Sequence, residues 1–384
     1  MKHLDDLRLL DPALEPIADK VVAGRRLDRE DGVRLATTTD LLGVGRLANI
    51  VRERLHGDRT YYNINRHLNP TNVCVASCKL CAFYVPWRER ERGWTYTVEQ
   101  AVEVAARDLN ESVSELHIVG GLHPELRVEY YEELFSALKS RFPWIHLKAL
   151  TMTEFDFISS ASRISMEETI SRLKTAGLDS CPGGGAEIFA ERARRQICDH
   201  KTDGPRWLAI SREVHRAGLR SNCTMLYGHV ETAEERVDHL LALRELQDET
   251  GGFQCMIPLA FHPENTALAH LPPTGGRLDI QTIATTRLVL DNVPHLKAYW
   301  IMLGEKVAQI ALSFGANDLD GTVVDERITH AAGGTAGTGL SRQRLENLIR
   351  EAGRTPVLRD TLYRPLDGSD AGPSSAASAG VASS

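Results

Sequence analysis

The sequence has few of the features that mark membrane, exported or nucleic-acid-binding proteins. None of its windows approaches the roughly 18 uninterrupted apolar residues of a membrane-spanning helix. The first residues, Met1 to Asp6, lack the apolar run of a signal peptide. A basic excess is also missing, because 45 Lys and Arg face 52 Asp and Glu, for a net charge of −7. We therefore expect a cytoplasmic protein that binds neither membranes nor nucleic acid.

Cysteine is sparse and unevenly placed. Of the seven cysteines, three lie within eight residues, at Cys74, Cys78 and Cys81. Disulfides are not expected between them, because such close pairs would close strained loops and nothing points to an oxidising compartment. The other four, Cys181, Cys198, Cys223 and Cys255, are scattered singly. Three of them lie in or beside apolar strand-like runs and are expected to be buried thiols without a second cluster: Cys181, Cys223 and Cys255.

The three close cysteines form a C-x3-C-x2-C run, which suits a [4Fe–4S] cluster bound by thiolates. Three ligands leave one iron open to a non-protein ligand, as in catalytic metal sites. A structural zinc site is the alternative, with His67 as the only near candidate for a fourth ligand. A non-catalytic electron-transfer protein is a further alternative, but such a protein would normally supply four cysteines.

The order of predicted elements indicates an α/β fold, a (β/α)8 TIM-type barrel. Residues 1–56 read as an N-terminal helical extension, 57–366 as the barrel and 367–384 as a disordered tail rich in Ser, Ala and Gly. The first strand is predicted at Tyr61–Asn65 and a late one at Leu296–Met302, whereas 315–321 is too polar to be assigned as a strand. An open doubly wound sheet is the alternative, but it would be unusually long.

In a barrel, reactive groups belong at the carboxyl ends of the strands. The turn Gly120-Gly121 follows the second strand, where bare backbone can approach a charged ligand closely. The glycine-rich loop that ends at Glu187 follows the fourth strand, and His229 and Glu231 follow the fifth. Four histidines share this placement, which favours a role for the group rather than for one member: His67, His123, His229 and His262.

These segments resemble the radical S-adenosylmethionine (SAM) superfamily. The spacing of Cys74, Cys78 and Cys81 is similar to the superfamily signature, which implies a [4Fe–4S] cluster with SAM on the open iron. The resemblance also implies that Gly120 and Gly121 bind the SAM ammonium group, and that Glu187 and Phe83 contribute to the SAM site. One departure is visible: Leu80, not an aromatic residue, precedes the third cysteine, so either Phe83 or Tyr84 packs on the adenine.

Longer segments resemble the aminodeoxyfutalosine synthase family of menaquinone biosynthesis. They include residues 69–74, 81–84, 120–124, 181–189, 228–232 and 315–318. The resemblance implies a transferase that adds the 5′-deoxyadenosyl radical of SAM to 3-[(1-carboxyvinyl)oxy]benzoate. Rearrangement and loss of a carboxylate then give 6-amino-6-deoxyfutalosine.

The partners implied are this aryl enol ether dicarboxylate and a reducing electron donor of flavodoxin or ferredoxin type. From their position, we predict that His229 and Glu231 handle protons during the rearrangement. Dehypoxanthine futalosine cyclase and the deazaflavin-precursor synthase subunit share several of these segments and are the alternatives.

Overall fold

A computed structural model describes residues 9–107, 109–337 and 339–366. The tail predicted at 367–384 lies outside the described residues, as do the first eight residues of the N-terminal extension. No described helix is long and apolar enough to cross a membrane.

Twelve strands are present in the described part of the chain. They are β1 Arg59–Asn63, β2 Asn65–Leu68, β3 Val73–Cys74, β4 Val85–Pro86, β5 Glu115–Ile118, β6 His146–Ala149, β7 Ser180–Cys181, β8 Arg220–Tyr227, β9 Phe253–Ala260, β10 His295–Leu296, β11 Asp318–Gly321 and β12 Thr355–Leu358.

Fourteen α-helices accompany these strands in the described residues. They are α1 Glu15–Val22, α2 Arg29–Thr37, α3 Leu41–His56, α4 Val98–Ala106, α5 Val128–Arg141, α6 Met152–Ser162, α7 Met166–Thr175, α8 Glu191–Ile197, α9 Gly204–Arg216, α10 Ala233–Thr250, α11 Gly276–Val289, α12 Trp300–Ala311, α13 Ile328–Ala331 and α14 Arg342–Glu351. Two 3-10 helices, Pro12–Leu14 and Trp87–Arg92, complete the set.

The strands form a barrel of eight parallel strands. Seven of them make one sheet in the order β2, β5, β6, β7, β8, β9, β10. β11 and the residues just after it close the ring through two isolated parallel bridges, Lys297 to Asp318 on one side and Arg66 to Val324 on the other. The predicted (β/α)8 fold class is therefore confirmed, and the carboxyl ends of all eight strands point to one end of the barrel.

Side-chain caps set where several barrel helices begin. Thr97, Thr151 and Thr232 each accept a hydrogen bond from the backbone of the third helical residue, whose own side chain bonds back to the cap. Such capping boxes satisfy N–H groups that the first turn leaves without partners. They stop each loop at a defined residue, so the loops at the carboxyl end of the barrel have fixed lengths.

The N-terminal helices pack on the outside of the barrel. Apolar residues of α1, α2 and α3 form a second buried cluster that includes Ala284 and Leu288 of α11. Gly45 of α3 lies against Phe314, where a β-carbon would stand 2.3 Å from the ring. The extension therefore supports the helix layer and stays away from the carboxyl ends of the strands.

The predicted first strand, Tyr61–Asn65, is wrong in its extent. The chain breaks at Ile64, whose carbonyl accepts a hydrogen bond from the Ser114 amide at 2.9 Å. β1 joins a small separate sheet in the order β11, β1, β12, and β2 is the strand that enters the barrel.

The last two barrel strands also differ from the prediction. β10 ends at Leu296, well short of Met302, because α12 already begins at Trp300. The polar segment at 315–321 contains β11, which is fully buried. Its carboxylates are paired: Asp318 lies 2.7 Å from Arg359, and Asp320 forms an ion pair with Lys297. Paired charges allow a polar strand to sit inside the barrel.

Candidate active site

A cavity of about 330 Å³ lies at the carboxyl ends of the strands. Every strand of the ring, or the loop that follows it, contributes to its lining: His67, His117, Lys148, Pro182, Asn222, Ile257, Lys297 and Asp320. The three clustered cysteines line one end of this cavity. One end of the cavity is therefore lined by thiols, and the rest is lined by side chains of the barrel strands and their loops.

The cysteine loop is held from three sides. Backbone N–H groups of Val75 and Lys79 donate to the carbonyls of Leu122 and Ile197, at 3.1 and 2.9 Å. The Lys79 carbonyl accepts a hydrogen bond from Ala267 at 3.0 Å. Because the loop is bonded to elements after β5, before α9 and after β9, its path does not depend on a bound metal alone.

All three cysteines of the loop are free thiols. Burial raises the pKa of Cys78 to about 12, and burial also raises the pKa of Cys81. Thiolates, not thiols, bind iron, so metal binding here must release protons. Among the described residues, no three His, Cys, Asp or Glu side chains converge on a single ion.

The four scattered cysteines are buried away from this cavity lining. Cys223 lies 3.6 Å from the Met256 sulfur, and burial raises the pKa of Cys181, Cys223 and Cys255. They behave as small apolar residues, as the sequence predicts.

The Gly120-Gly121 turn packs directly on the strand that leads into the cysteine loop. The Gly121 amide donates to the Thr71 carbonyl at 2.9 Å, and a β-carbon on Gly121 would lie 2.2 Å from the Val73 carbonyl oxygen. Neither glycine has a positive φ. The requirement for glycine is thus close approach of two backbones, not a left-handed conformation.

Glu154 fixes the other side of this turn. Its carboxylate accepts hydrogen bonds from the Gly120 amide at 3.0 Å and the Thr151 amide at 2.7 Å. Both glycine amides are therefore used within the protein, while their carbonyl oxygens accept no hydrogen bond from the described residues, so this part of the lining offers acceptors. An ammonium group is the complementary ligand.

Phe83 is buried and packs edge-on against Trp94, with ring centroids 5.5 Å apart. Phe83 and Tyr84 both line the cavity beside Cys81. The structure therefore brings both candidate aromatic residues to the thiol end of the cavity.

Glu187 lines the cavity with a left-handed backbone, at φ 47°. Burial would raise its pKa, but the ion pair with Lys201 holds the pKa below its ordinary value. Lys201 also lines the cavity, yet sequence reasoning missed it because it lies beyond α8, far from any strand end. A charged pair is thus placed next to the thiols.

His229 and Glu231 are not among the residues that line the cavity. The Glu231 carboxylate accepts hydrogen bonds from the Gly228 and His229 amides at 2.8 and 2.9 Å and pairs with Arg236. The His229 ring bonds to the Leu226 carbonyl and the Val230 amide. Both side chains therefore fold back on their own turn, outside the cavity lining. Their role in proton handling stays a prediction.

The inner end of the cavity carries two stacked imidazoles. His67 and His117 lie 4.5 Å apart at 17° between ring planes, because their strands pair them in register. Sequence reasoning had selected His67 but missed His117, which lies inside a strand instead of after it. His262 lines the cavity, whereas His123 packs on Trp87 outside the lining.

Two polar atoms in the lining are buried without a hydrogen-bond partner among the described residues, His67 Nε2 and Thr153 Oγ1. Buried polar atoms in native structures nearly always have partners. With three free thiols, spare carbonyls and unpartnered polar atoms around one cavity, the residues present fit a [4Fe–4S] cluster and a polar organic ligand.

The barrel and its three-cysteine loop are those of a radical SAM enzyme. The family model "Radical SAM superfamily" matches residues 68–243, and the model "CofH/MqnC C-terminal region" matches residues 250–371. The crystal structure of methylornithine synthase has the same fold, with a TM-score of 0.69 at 15% identity over 88% of this chain and 97% of that one.

Curated relatives narrow the family. The aminodeoxyfutalosine synthase of Thermus thermophilus is 46% identical over 360 residues, which is 93% of this chain and 96% of the relative. The cyclic dehypoxanthine futalosine synthase of Streptomyces coelicolor is 38% identical over 92% of this chain and 89% of the relative. The chain belongs to the aminodeoxyfutalosine synthase family, which uses a [4Fe–4S] cluster and SAM.

Proposed function

We propose that this protein adds the 5′-deoxyadenosyl group of SAM to 3-[(1-carboxyvinyl)oxy]benzoate, with loss of the enol-ether carboxylate, to give 6-amino-6-deoxyfutalosine. The observation that carries the proposal is the similarity to an aminodeoxyfutalosine synthase along almost the full length of both chains. The cavity supports this proposal. Its lining includes the three thiols that would hold the cluster and, elsewhere, His67, His117 and Lys148, which can donate hydrogen bonds to an acidic substrate.

In this proposal Cys74, Cys78 and Cys81 hold the cluster. When bound, the cluster supplies the electron that cleaves SAM into methionine and the radical. The carbonyls of Gly120 and Gly121 hold the SAM ammonium, since their amides are already used by Thr71 and Glu154.

Phe83 and Glu187 complete the SAM site in this proposal. Phe83 is fixed edge-on by Trp94, so a flat face at the thiol end is held for the adenine without loss of side-chain freedom on binding. Glu187 is kept ionised by Lys201 and accepts hydrogen bonds from the ribose hydroxyls.

Part of the cavity wall is apolar. Leu122, Leu226, Ile257 and Leu259 line it. Apolar side chains exclude water around the reacting carbons and hold the vinyl group in a fixed place, which favours addition through proximity.

The electron donor reaches the cluster from the outer face of the cysteine loop. Val75 is 42% exposed, and Ser77 and Lys79 are exposed, while Cys78 between them is buried. A cluster held by these cysteines would be reached most directly through this exposed face of the loop. A flavodoxin- or ferredoxin-type donor with an acidic surface is the partner that suits Lys79. Such a partner, and a reducible cluster, are consistent with the cytoplasm.

The test is an anaerobic reaction of the reconstituted protein with a reductant, SAM and the aryl enol ether, analysed by mass spectrometry. We expect an adenosine-containing product that has lost the enol-ether carboxylate, and methionine in equal amount. Cys74→Ala should give neither, while the matched variant Cys181→Ala should give both.

Free 5′-deoxyadenosine with intact enol ether would contradict the synthase proposal. That result would favour hydrogen abstraction, as expected for a dehypoxanthine futalosine cyclase, and would leave the radical SAM assignment in place.

A further inference from the structure

Three polar residues of the barrel interior stand in one row across three neighbouring strands. The parallel register pairs His67 of β2 with His117 of β5, and His117 with Lys148 of β6. All three side chains line the cavity. We call these three residues the donor row. Barrel interiors are usually filled with branched apolar residues, so a polar row at this level needs a reason.

The donor row has polar groups that the protein does not use, since an imidazole donates through one ring nitrogen when neutral and through both when protonated. His67 is 7% exposed, and its Nε2 has no partner among the described residues. His117 makes no side-chain hydrogen bond within the described part of the chain, and its Nδ1 lies 3.9 Å from Glu115. Lys148 has three N–H donors, and its recorded partner is Glu115 at 2.8 Å.

The carboxylates that line the same cavity are all used. Glu154 accepts from two backbone amides, and Glu187 pairs with Lys201. Asp320 pairs with Lys297, and Glu326 accepts from the Ile328 and Thr329 amides at 2.9 and 2.8 Å. Since donors are free and carboxylates are not, this end of the cavity suits a ligand that only accepts hydrogen bonds.

The wall across the barrel from the donor row has an apolar stretch beside the polar Asn222 and Thr224 of β8. Leu226 of β8 and Ile257 and Leu259 of β9 line it. A ligand between the two walls therefore needs an apolar body and a head that accepts several hydrogen bonds. An aromatic carboxylate has both, and its two oxygens accept charge-assisted hydrogen bonds from Lys148 and the imidazoles.

We propose that the donor row binds the aryl carboxylate of the substrate and thereby points the other end of the molecule at the cysteine loop. The inference rests on the proposed function for the identity of the substrate, since the enol ether must face the thiol end where SAM binds. The site itself requires only an aromatic acid. Binding of an aromatic acid accounts for the two imidazoles and the buried lysine at the inner end of the cavity.

The test measures binding apart from catalysis. The cluster-loaded protein with SAM present is titrated calorimetrically with 3-hydroxybenzoate, which carries the aryl carboxylate, and with phenol, which lacks it. We expect 3-hydroxybenzoate to bind at least tenfold more tightly than phenol. His67→Phe keeps the ring stack but removes the N–H donor, and should weaken 3-hydroxybenzoate binding at least tenfold with iron content and SAM affinity unchanged.

His123→Phe is the matched control, since this histidine lies outside the lining, and it should bind 3-hydroxybenzoate like the parent. A second variant, Lys148→Met with Glu115→Gln, removes both members of the ion pair, so that no buried charge is left without a partner. It should lose the preference for 3-hydroxybenzoate over phenol.

Equal affinities for the two probes, or an unchanged affinity in both variants, would overturn the donor-row site. The synthase reaction could still be found in that case, with an unchanged KM for the enol ether in His67→Phe. Conversely, tight binding of 3-hydroxybenzoate without the adenosine-containing product would sustain the site and reject the proposed reaction.

Discussion

The cysteine loop after β2 and the turn after β8 both carry residue types that sequence reasoning associates with chemistry. In the cysteine loop the backbone is bonded to three neighbouring elements, and the thiols are left facing the cavity. In the turn, His229 and Glu231 use their polar atoms on adjacent backbone and on Arg236. Loops that follow barrel strands therefore present reactive groups to the cavity in one case and bond them to their own backbone in the other. Reactive groups are recognised by unused bonding capacity directed at a cavity, not by placement at a strand end alone.

Removal of one thiol from the cysteine loop tests this difference with the largest expected effect, on iron binding and activity. Cys74→Ala, Cys78→Ala and Cys81→Ala should each abolish binding of about four iron atoms and all activity, because a cubane cluster needs every cysteine that holds it. Iron and sulfide content after anaerobic reconstitution gives the measurement. Cys223→Ala and Cys255→Ala are the controls and should keep their iron, since these thiols lie in the packed interior. Loss of iron in either control would overturn the three-ligand assignment.

The glycine turn beside the cysteine loop gives the next largest effect. Gly121→Ala places a β-carbon 2.2 Å from the Val73 carbonyl oxygen, so one backbone must move. We expect the dissociation constant of SAM to rise at least tenfold, about 1.4 kcal/mol, because the Gly121 carbonyl shifts with the turn. Equilibrium dialysis with labelled SAM measures it.

Gly275→Ala is the control for this prediction, because nothing lies within 4 Å of its added β-carbon. An unchanged SAM affinity in Gly121→Ala would remove the turn from the SAM site.

Much of this architecture could be predicted from the sequence. The alternation of helices and strands identifies the barrel, since apolar periodicity and capping residues act over a few neighbouring positions. The cysteine spacing identifies the cluster loop for the same reason. Both are local signals, and the structure confirms the fold class that they predict.

What could not be predicted depends on contacts between distant segments. The sequence of β11 is too polar to predict a strand. Its carboxylates are paired with Arg359 and Lys297, which are distant in sequence. The His67–His117 stack exists because of the register between β2 and β5, which no local pattern specifies. Lys201 reaches the cavity only through the path of the chain after α8. Long-range pairing, not residue type, decides these features.

A smaller effect is expected in the turn after β8. Glu231→Gln leaves the Arg236 guanidinium without its carboxylate and weakens the bonds to two backbone amides. We expect a loss of about 2 kcal/mol in the free energy of unfolding, with kcat changed by less than about threefold, as for a change that touches no reacting atom. Urea denaturation and steady-state kinetics measure the two quantities. Glu234→Gln, at an exposed position in the first turn of α10, should change neither.

A kcat lowered more than tenfold with unchanged stability would instead support the proton-handling role predicted for Glu231 and His229. The turn would then, like the cysteine loop, supply groups that take part in the reaction.

The smallest effect concerns the protonation of His229. Burial lowers its pKa below the ordinary value, despite the nearby Glu231 carboxylate, so the folded protein holds the ring neutral. In the unfolded chain this histidine takes up a proton below about pH 6.5. The unfolded state then binds more protons than the folded state, so stability falls as the pH is lowered through that value, by up to about 1.4 kcal/mol per pH unit for one group.

His229→Gln removes this contribution, and its free energy of unfolding should decline less steeply than that of the parent between pH 6.5 and pH 5. His200→Gln, at an exposed histidine, should follow the parent curve. Parallel curves for His229→Gln and the parent would mean that the His229 ring accepts a proton in the folded protein, which is the behaviour of a group available for chemistry and not of one closed on its own turn.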